Sequence, residues 1–413
     1  MSRTAYIEPL DKPLYLMAKP VGAACNLRCD YCYYLEKSQL YASRRCQMSD
    51  EMLELYIRNY IECQPSAEVQ FCWHGGEPIL RGLDFFRRAM VLQRKYAKGR
   101  RIDNSLQTNG TLLTDEWCRF LKDYDFLVGI SIDGPEHCHD HYRHAAGGGG
   151  SFKQVMRGVN LLLKHDVPFN TMSVINSYNA DYADEVYHFL KQIGGHYMQF
   201  SPVVERLSGV REDGLHLLPA EQQTTAELAP WSVDPIQMGN FYIQIFDEWV
   251  RHDVGRYFVQ LFDSALACHV GMLPSSCIFA PTCGHAAAME FNGDVYSCDH
   301  YVYPEHRIGN LHQLSFWQMM NDSRQQTFGQ NKRDKLPPQC RACDVLHLCN
   351  GECPKNRIDA DRDGYEGLNY LCRGYYAFFR HALPALDFMA SELRAQRSPA
   401  NVMRWMSDND KKS

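Results

Sequence analysis

Cys25, Cys29 and Cys32 stand with three and then two residues between them, in the run Cys25-Asn26-Leu27-Arg28-Cys29-Asp30-Tyr31-Cys32-Tyr33-Tyr34. Thiolates at that spacing can hold three corners of a cubane [4Fe–4S] cluster. Such a cluster normally takes four cysteines. Three leave one iron either for a ligand from elsewhere in the chain or open to a substrate or cofactor. The plainer readings are a zinc site or a chance grouping, although zinc motifs pair cysteines two to four residues apart and come in twos.

A second set lies downstream: Cys277, Cys283, Cys298, Cys340, Cys343, Cys349, Cys353 and Cys372, with 5, 14, 41, 2, 5, 3 and 18 residues between successive members. Eight thiols suit two tetrahedral sets of four. Spacing alone leaves both zinc and iron–sulfur open. The other six, Cys46, Cys63, Cys72, Cys118, Cys138 and Cys268, read as small buried hydrophobes.

Seventeen cysteines in 413 residues would suggest disulfides in a secreted chain. The first eight residues lack the apolar core of a signal peptide. The expectation is therefore a cytosolic protein whose thiols hold metal. Low-potential clusters open to solvent are attacked by oxygen, which implies an anaerobic setting. A net charge of −6 offers no overall basic face for nucleic acid. No apolar run approaches the ~20 residues that span a bilayer.

The elements that must position these residues alternate in the first half. Strands are expected at 14–21, 68–73, 102–107, 126–132, 169–175 and 197–204, and helices at 50–63, 83–96, 115–122, 152–165 and 183–193, the first capped by Ser49. Repeated βα units argue for a parallel sheet covered by helices, six units being too few for a full eightfold barrel. Chemistry in such folds gathers at the carboxyl ends of strands. There stand His74-Gly75-Gly76-Glu77-Pro78, Ser105-Leu106-Gln107-Thr108-Asn109-Gly110 and Ser131-Ile132-Asp133-Gly134-Pro135. By themselves these could be turns. Four glycines at 147–150 read as a flexible connection, and 205–235 as an irregular lid or substrate loop. No P-loop pattern occurs. From about Cys268 the βα rhythm stops.

On the CxxxCxxC loop with its trailing Tyr33-Tyr34, GGEP, the run from Ser105 to Leu112, SIDGP, the five- and fourteen-residue cysteine gaps and Cys298-Asp299-His300-Tyr301, the chain resembles the anaerobic sulfatase-maturating enzymes. These are radical S-adenosylmethionine (SAM) enzymes with a SPASM extension. The resemblance implies an α/β fold: a partial (β/α)6 barrel over 1–240, a cysteine-rich SPASM domain with little regular structure over 265–372, and a C-terminal helix and tail over 373–413. It implies that SAM binds the open iron of a cluster on Cys25, Cys29 and Cys32. Tyr31 would be the aromatic residue before the third cysteine, and Gly76 and Glu77 would meet the SAM amino group. Ser131 would touch its ribose or methionine part, Arg143 would pair with its carboxylate, and the Val204 backbone would contact adenine. Two auxiliary [4Fe–4S] clusters follow, crossed in sequence: Cys277, Cys283, Cys298 and Cys353 for the inner, Cys340, Cys343, Cys349 and Cys372 for the outer. Full ligation suits electron transfer. His74 departs from a glutamine also found at this position in the family.

The activity implied is oxidation of a sulfatase active-site cysteine or serine to Cα-formylglycine. The substrate would be unfolded or nascent polypeptide, and an electron donor such as flavodoxin or ferredoxin would be needed. Asp299 would take the substrate proton, its pKa raised by the neighbouring anionic cluster; read alone, it could be a turn aspartate. Tyr34 would line the path near Cβ. Two other readings are a SPASM maturase that forms a thioether or other crosslink, and a zinc-binding or electron-carrier protein.

Overall fold

The computed structural model describes residues 8–41, 46–207, 216–218 and 226–411. Its centre is one ten-stranded sheet. In chain order the strands are β1 (Tyr15–Ala18), β2 (Glu68–Trp73), β3 (Arg101–Thr108), β4 (Leu127–Ser131), β5 (Phe169–Ile175), β6 (Tyr197–Pro202), β7 (Phe258–Val259), β8 (Ala286–Met289), β9 (Asp294–Tyr296) and β10 (Arg307–Asn310). Their spatial order is β10-β9-β8-β1-β2-β3-β4-β5-β6-β7. The run from β8 through β1 to β7 is parallel, whereas β8–β9 and β9–β10 are antiparallel.

The expected six parallel strands are thus present, with bounds shifted by up to a few residues. The first strand stops short of 21 because Pro20 has no N–H for the ladder. β5 alternates buried and partly exposed residues along its length, as period-2 geometry requires. Helix Asp50–Cys63 starts where Ser49 Oγ accepts from Met52 N–H, and helix Asp115–Asp123 is capped in the same way by Thr114. Between sheet and helices, Tyr56, Tyr60, Phe71, Trp73 and Phe86 interlock edge-on.

The cysteine-rich region is built mostly of short pieces, yet three of its strands continue the central sheet. β8 pairs with β1 over four residues, and the pairing runs on, with Lys19 N–H donating to Met289 O at 2.9 Å. The helix Pro235–His252 spans position 240, and two helices, Cys372–Arg394 and Val402–Asp410, follow the last cysteine. No described helix is long and apolar enough to cross a membrane.

Two expectations change, and a third lies partly outside the described residues. Residues 147–150 form a tight ordered turn: Ala145 N–H donates to Gly149 O, Gly148 N–H donates to Ala145 O, and His144 bridges Gly150. Gly148 and Gly149 are needed there because both take positive φ, 89° and 81°. A helix not expected from sequence, Glu136–Tyr142, follows β4. The stretch read as a lid, 205–235, lies partly outside the described residues, at 208–215 and 219–225; its described ends pair Arg206–Leu207 with Glu227–Leu228.

Gly76 packs under the start of the cysteine loop. Its N–H donates to Gly22 O at 2.9 Å, Glu77 N–H donates to Ala24 O at 2.8 Å, and a Cβ at Gly76 would overlap the Ala24 carbonyl. Gly76→Ala is expected to cost about 1–3 kcal/mol, the usual cost of overpacking, read as a lower urea midpoint. An unchanged midpoint would show that the loop yields at no cost.

Candidate functional site

The cysteine loop follows β1 and is clamped from the side. Arg28 and Asp30 N–H groups donate to the carbonyls of His144 and Tyr142, and Leu27 bridges Ala145. The unexpected helix Glu136–Tyr142 therefore delivers both the clamp and Arg143. Cys29, Leu27, Tyr31 and Val203 are buried together, with Cys25, Cys32 and Trp231 packed on them. Burial pushes the Cys29 thiol up to about 11 and Cys32 up to about 12, each thiolate adding to its neighbours' repulsion, while Arg143 opposes the shift at Cys29. Three crowded thiolates beside a buried guanidinium fit a cationic iron group that relieves this repulsion.

Arg143 is 6% exposed. One guanidinium nitrogen donates to Tyr31 Oη at 2.9 Å, Tyr31 in turn donates to Asp133 at 2.5 Å, and Asp133 lies 3.9 Å from Arg143. Its Nε is buried with no partner, a donor that fits an incoming carboxylate. Trp231 Nε1 is also buried and unpartnered; sequence reasoning missed it because 205–235 showed no regular pattern.

The other residues expected near SAM sit around this loop but hold each other. Glu77 is fully buried and accepts from Ile79 N, Thr108 Oγ1 and Asn109 N; burial chiefly raises it to about 7 despite those bonds. Asn109 donates to Asn26 Oδ1 at 2.9 Å and reaches Cys25 Sγ at 3.7 Å, so the turn after β3 braces the cysteine loop. Ser131 Oγ accepts from Gln107 at 2.9 Å. Val204 O accepts from Lys355 Nζ at 2.7 Å.

The downstream thiols fall into two electrostatic neighbourhoods. Cys298 senses Cys277 and Cys283, and Cys353 senses Cys298 and Cys283. Cys349 senses Cys372 and Cys340, and Cys372 senses Cys340 and Cys343. Cys353, although the next cysteine after Cys349 in the chain, thus stands with the first group. Lys332, buried and missed by sequence, donates to Cys277 O and Ile278 O at 2.8 and 2.6 Å and places a cation beside that group. Among the described residues, no three His, Cys, Asp or Glu side chains converge on one point as ligands of a single ion.

Between the two cysteine regions lies Asp299, 5% exposed. Lys19 Nζ reaches its Oδ1 at 2.7 Å and Glu290 at 3.1 Å. Its other oxygen accepts from Tyr33 Oη at 2.6 Å and from Tyr34 Oη. Tyr34 also meets His74 Nδ1 at 3.2 Å. That nitrogen accepts from Gly75 N–H, which puts the neutral ring's proton on Nε2. Burial would raise the Asp299 carboxyl, but the Lys19 charge and the hydrogen bonds from Lys19 and Tyr33 hold it well below the usual carboxylate range. The raised pKa expected from sequence considered only an anionic neighbour and missed Lys19. A lysine at the carboxyl end of an apolar strand is the signal that could have revealed it.

Comparison with known proteins agrees with this geometry. Residues 20–190 match the radical SAM superfamily and 277–344 an iron–sulfur cluster-binding domain. The chain is 53% identical over its full length, and 99% of the relative's, to a serine-type anaerobic sulfatase-maturating enzyme of Bacteroides thetaiotaomicron. The chain belongs to the anaerobic sulfatase-maturating enzymes. A cysteine-type member from Clostridium perfringens is 33% identical over 92% of this chain and all of its own. The solved structure of native anSMEcpe with bound AdoMet and Cp18Cys peptide superposes with a TM-score of 0.80 at 32% identity, covering 92% of this chain and 99% of that one. As a sulfatase-maturating enzyme the chain is a radical SAM oxidoreductase, and the crosslinking and carrier readings give way to that family.

Removing one partner of a buried ion pair strands the other charge at a cost of about 3–5 kcal/mol. Lys19→Met is expected to lose stability in that range, and Lys19→Met with Glu290→Gln to recover part of it, because one stranded carboxylate is then neutral. Denaturant midpoints of the single and double variants check this; strictly additive losses would mean that Lys19 and Glu290 do not act as a pair.

Proposed function

We propose that this enzyme oxidises an active-site serine of a sulfatase polypeptide to Cα-formylglycine, with cysteine as a second substrate. The observation that carries this reading is the buried Lys19–Asp299–Tyr33–Tyr34 group standing at the foot of the three-cysteine loop. The 53% identical relative, named serine-type, favours serine. The relative solved with AdoMet and a peptide supports SAM as cofactor and a polypeptide as substrate.

When bound, SAM on a cluster at Cys25, Cys29 and Cys32 supplies hydrogen-atom abstraction, and clusters on the two downstream cysteine sets supply one-electron acceptance. The chain's own residues do the rest. Arg143, fixed by Tyr31 and Asp133, offers its free Nε to the cofactor carboxylate. Val203 and Trp231, packed on the loop, exclude water from it. Tyr33 and Tyr34 connect the loop directly to Asp299, so substrate Cβ and its hydroxyl fall between the two. Asp299, held ionised by Lys19, takes the hydroxyl proton. It is a weak base, but loss of the Cβ hydrogen atom first makes that proton far more acidic. Overall, serine loses one hydrogen atom, one proton and one electron, and the C–O single bond becomes the aldehyde.

The domain limits 1–240, 265–372 and 373–413, the cytoplasmic location and a flavodoxin or ferredoxin as electron donor belong to the same proposal. Fully loaded protein is expected to hold about twelve irons and the Cys25, Cys29, Cys32 triple alanine variant about eight, since eight ligands remain. Reduced protein with SAM and a serine peptide carrying the sulfatase motif should give a peptide lighter by two hydrogens, and the triple variant none. A colourless zinc protein, or 5′-deoxyadenosine formed by the triple variant, would overturn the assignment.

A further inference from the structure

Outside the reaction site, three side chains from three different elements meet at the protein surface. His269 ends the helix Gln260–His269, His347 lies in the short helix Leu346–Cys349, and Asp387 lies in the helix Cys372–Arg394. His269 Nδ1 stands 3.2 Å from His347 Nε2, and His269 Nε2 stands 2.8 Å from Asp387 Oδ1. The imidazole of His269 is 13% exposed, so its orientation is set by packing.

The tautomers follow from the partners. A carboxylate only accepts, so His269 carries its proton on Nε2 and gives it to Asp387. That leaves His269 Nδ1 as a lone pair facing His347 Nε2. His347 meets it with an Nε2 proton or, in its other tautomer, with a second lone pair.

In that second tautomer the two nitrogens, 3.2 Å apart, can take a metal ion in place of the shared proton. Tetrahedral zinc at ~2.0–2.1 Å from each imidazole nitrogen holds them about 3.3 Å apart. The observed gap is close to that bite. The Asp387–His269 contact is the outer carboxylate that zinc-binding histidines use to fix ring orientation and raise basicity. Imidazole pairs select late first-row divalent ions, and water completes the shell on the open side.

We propose that His269 and His347 form a surface site for a divalent transition metal, Zn²⁺ or a close neighbour, with Asp387 as its outer partner. The ion ties the helix Gln260–His269 to the segment between Cys343 and Cys349 and, through Asp387, to the helix Cys372–Arg394. It thus braces the loop that presents the outer cysteine set. This site takes no part in the oxidation chemistry.

The test uses untagged holoenzyme with its full iron content, dialysed against micromolar Zn²⁺. Wild type should retain one zinc per chain beyond its iron. His347→Gln should retain none at that concentration, and Asp387→Asn should bind 10–100-fold more weakly, the usual effect of losing such an outer partner. Mn²⁺, lowest in the affinity order, should not be retained. Iron content is measured alongside, and equal iron in all variants shows that the fold and clusters are intact. Equal zinc uptake by wild type and His347→Gln, or no uptake by wild type, would overturn the proposal and leave the pair sharing a proton.

Discussion

Lys19 carries its ammonium into a volume almost closed to water, 1% exposed, between Glu290 and Asp299. A cation so placed is tolerable only because two carboxylates and the face of Tyr34, 4.7 Å away, surround it. That requirement binds distant parts of the chain. Lys19 leaves the end of β1, whereas Glu290 and Asp299 follow β8 and β9. They meet because β8 adds to β1 in parallel, in register from Tyr15 with Ala286 to Ala18 with Met289. The same end of β1 launches the cysteine loop. One strand pairing therefore sets the distance between the three-cysteine loop and the aspartate.

The tyrosines complete the connection. Tyr33 and Tyr34 come directly after Cys32 and open the helix Tyr33–Lys37. Any shift of the cysteine loop moves both hydroxyls on Asp299. The loop is itself held from three sides: by the backbone of 142–145, by Asn109 and Asn26, and by the Gly76 turn beneath it. Rigidity of this kind keeps reacting groups within reach without cost at the moment of reaction. Farther along, Lys332 compensates the charge of the inner thiol group, as Arg143 does at the first loop. The three-cysteine loop and the inner set thus each have a buried cation beside them.

Much of the site could be read from sequence because thiolate chemistry leaves short, rigid spacings. Cys25, Cys29 and Cys32 needed only local geometry. The strands with strong period-2 or apolar runs, such as β2 and β5, were equally plain. What stayed hidden was non-local. Nothing near Ala286–Met289 shows that it will pair with a strand 270 residues earlier (Tyr15↔Ala286 and Lys19 N–H to Met289 O differ by about that span). Lys19 and Glu290 went unread, since a buried ion pair has no local signature. Glu77 illustrates the converse. Its motif pointed to a ligand, and the sequence did not show that Ile79, Thr108 and Asn109 would fix its carboxylate. The glycine run at 147–150 signalled freedom but supplies two positive-φ positions of a fixed turn.

The central claim is that hydrogen-atom removal and proton removal belong to different groups, the first to the three-cysteine loop and the second to Asp299. A serine peptide deuterated at Cβ separates them, with deuterium in 5′-deoxyadenosine and aldehyde in the peptide measured in one reaction. In Asp299→Asn, deuterium transfer should persist while aldehyde falls by about 10²–10⁴-fold, the usual worth of a general base, with iron content unchanged. Aldehyde formation undiminished in that variant, with its clusters intact, would contradict the account.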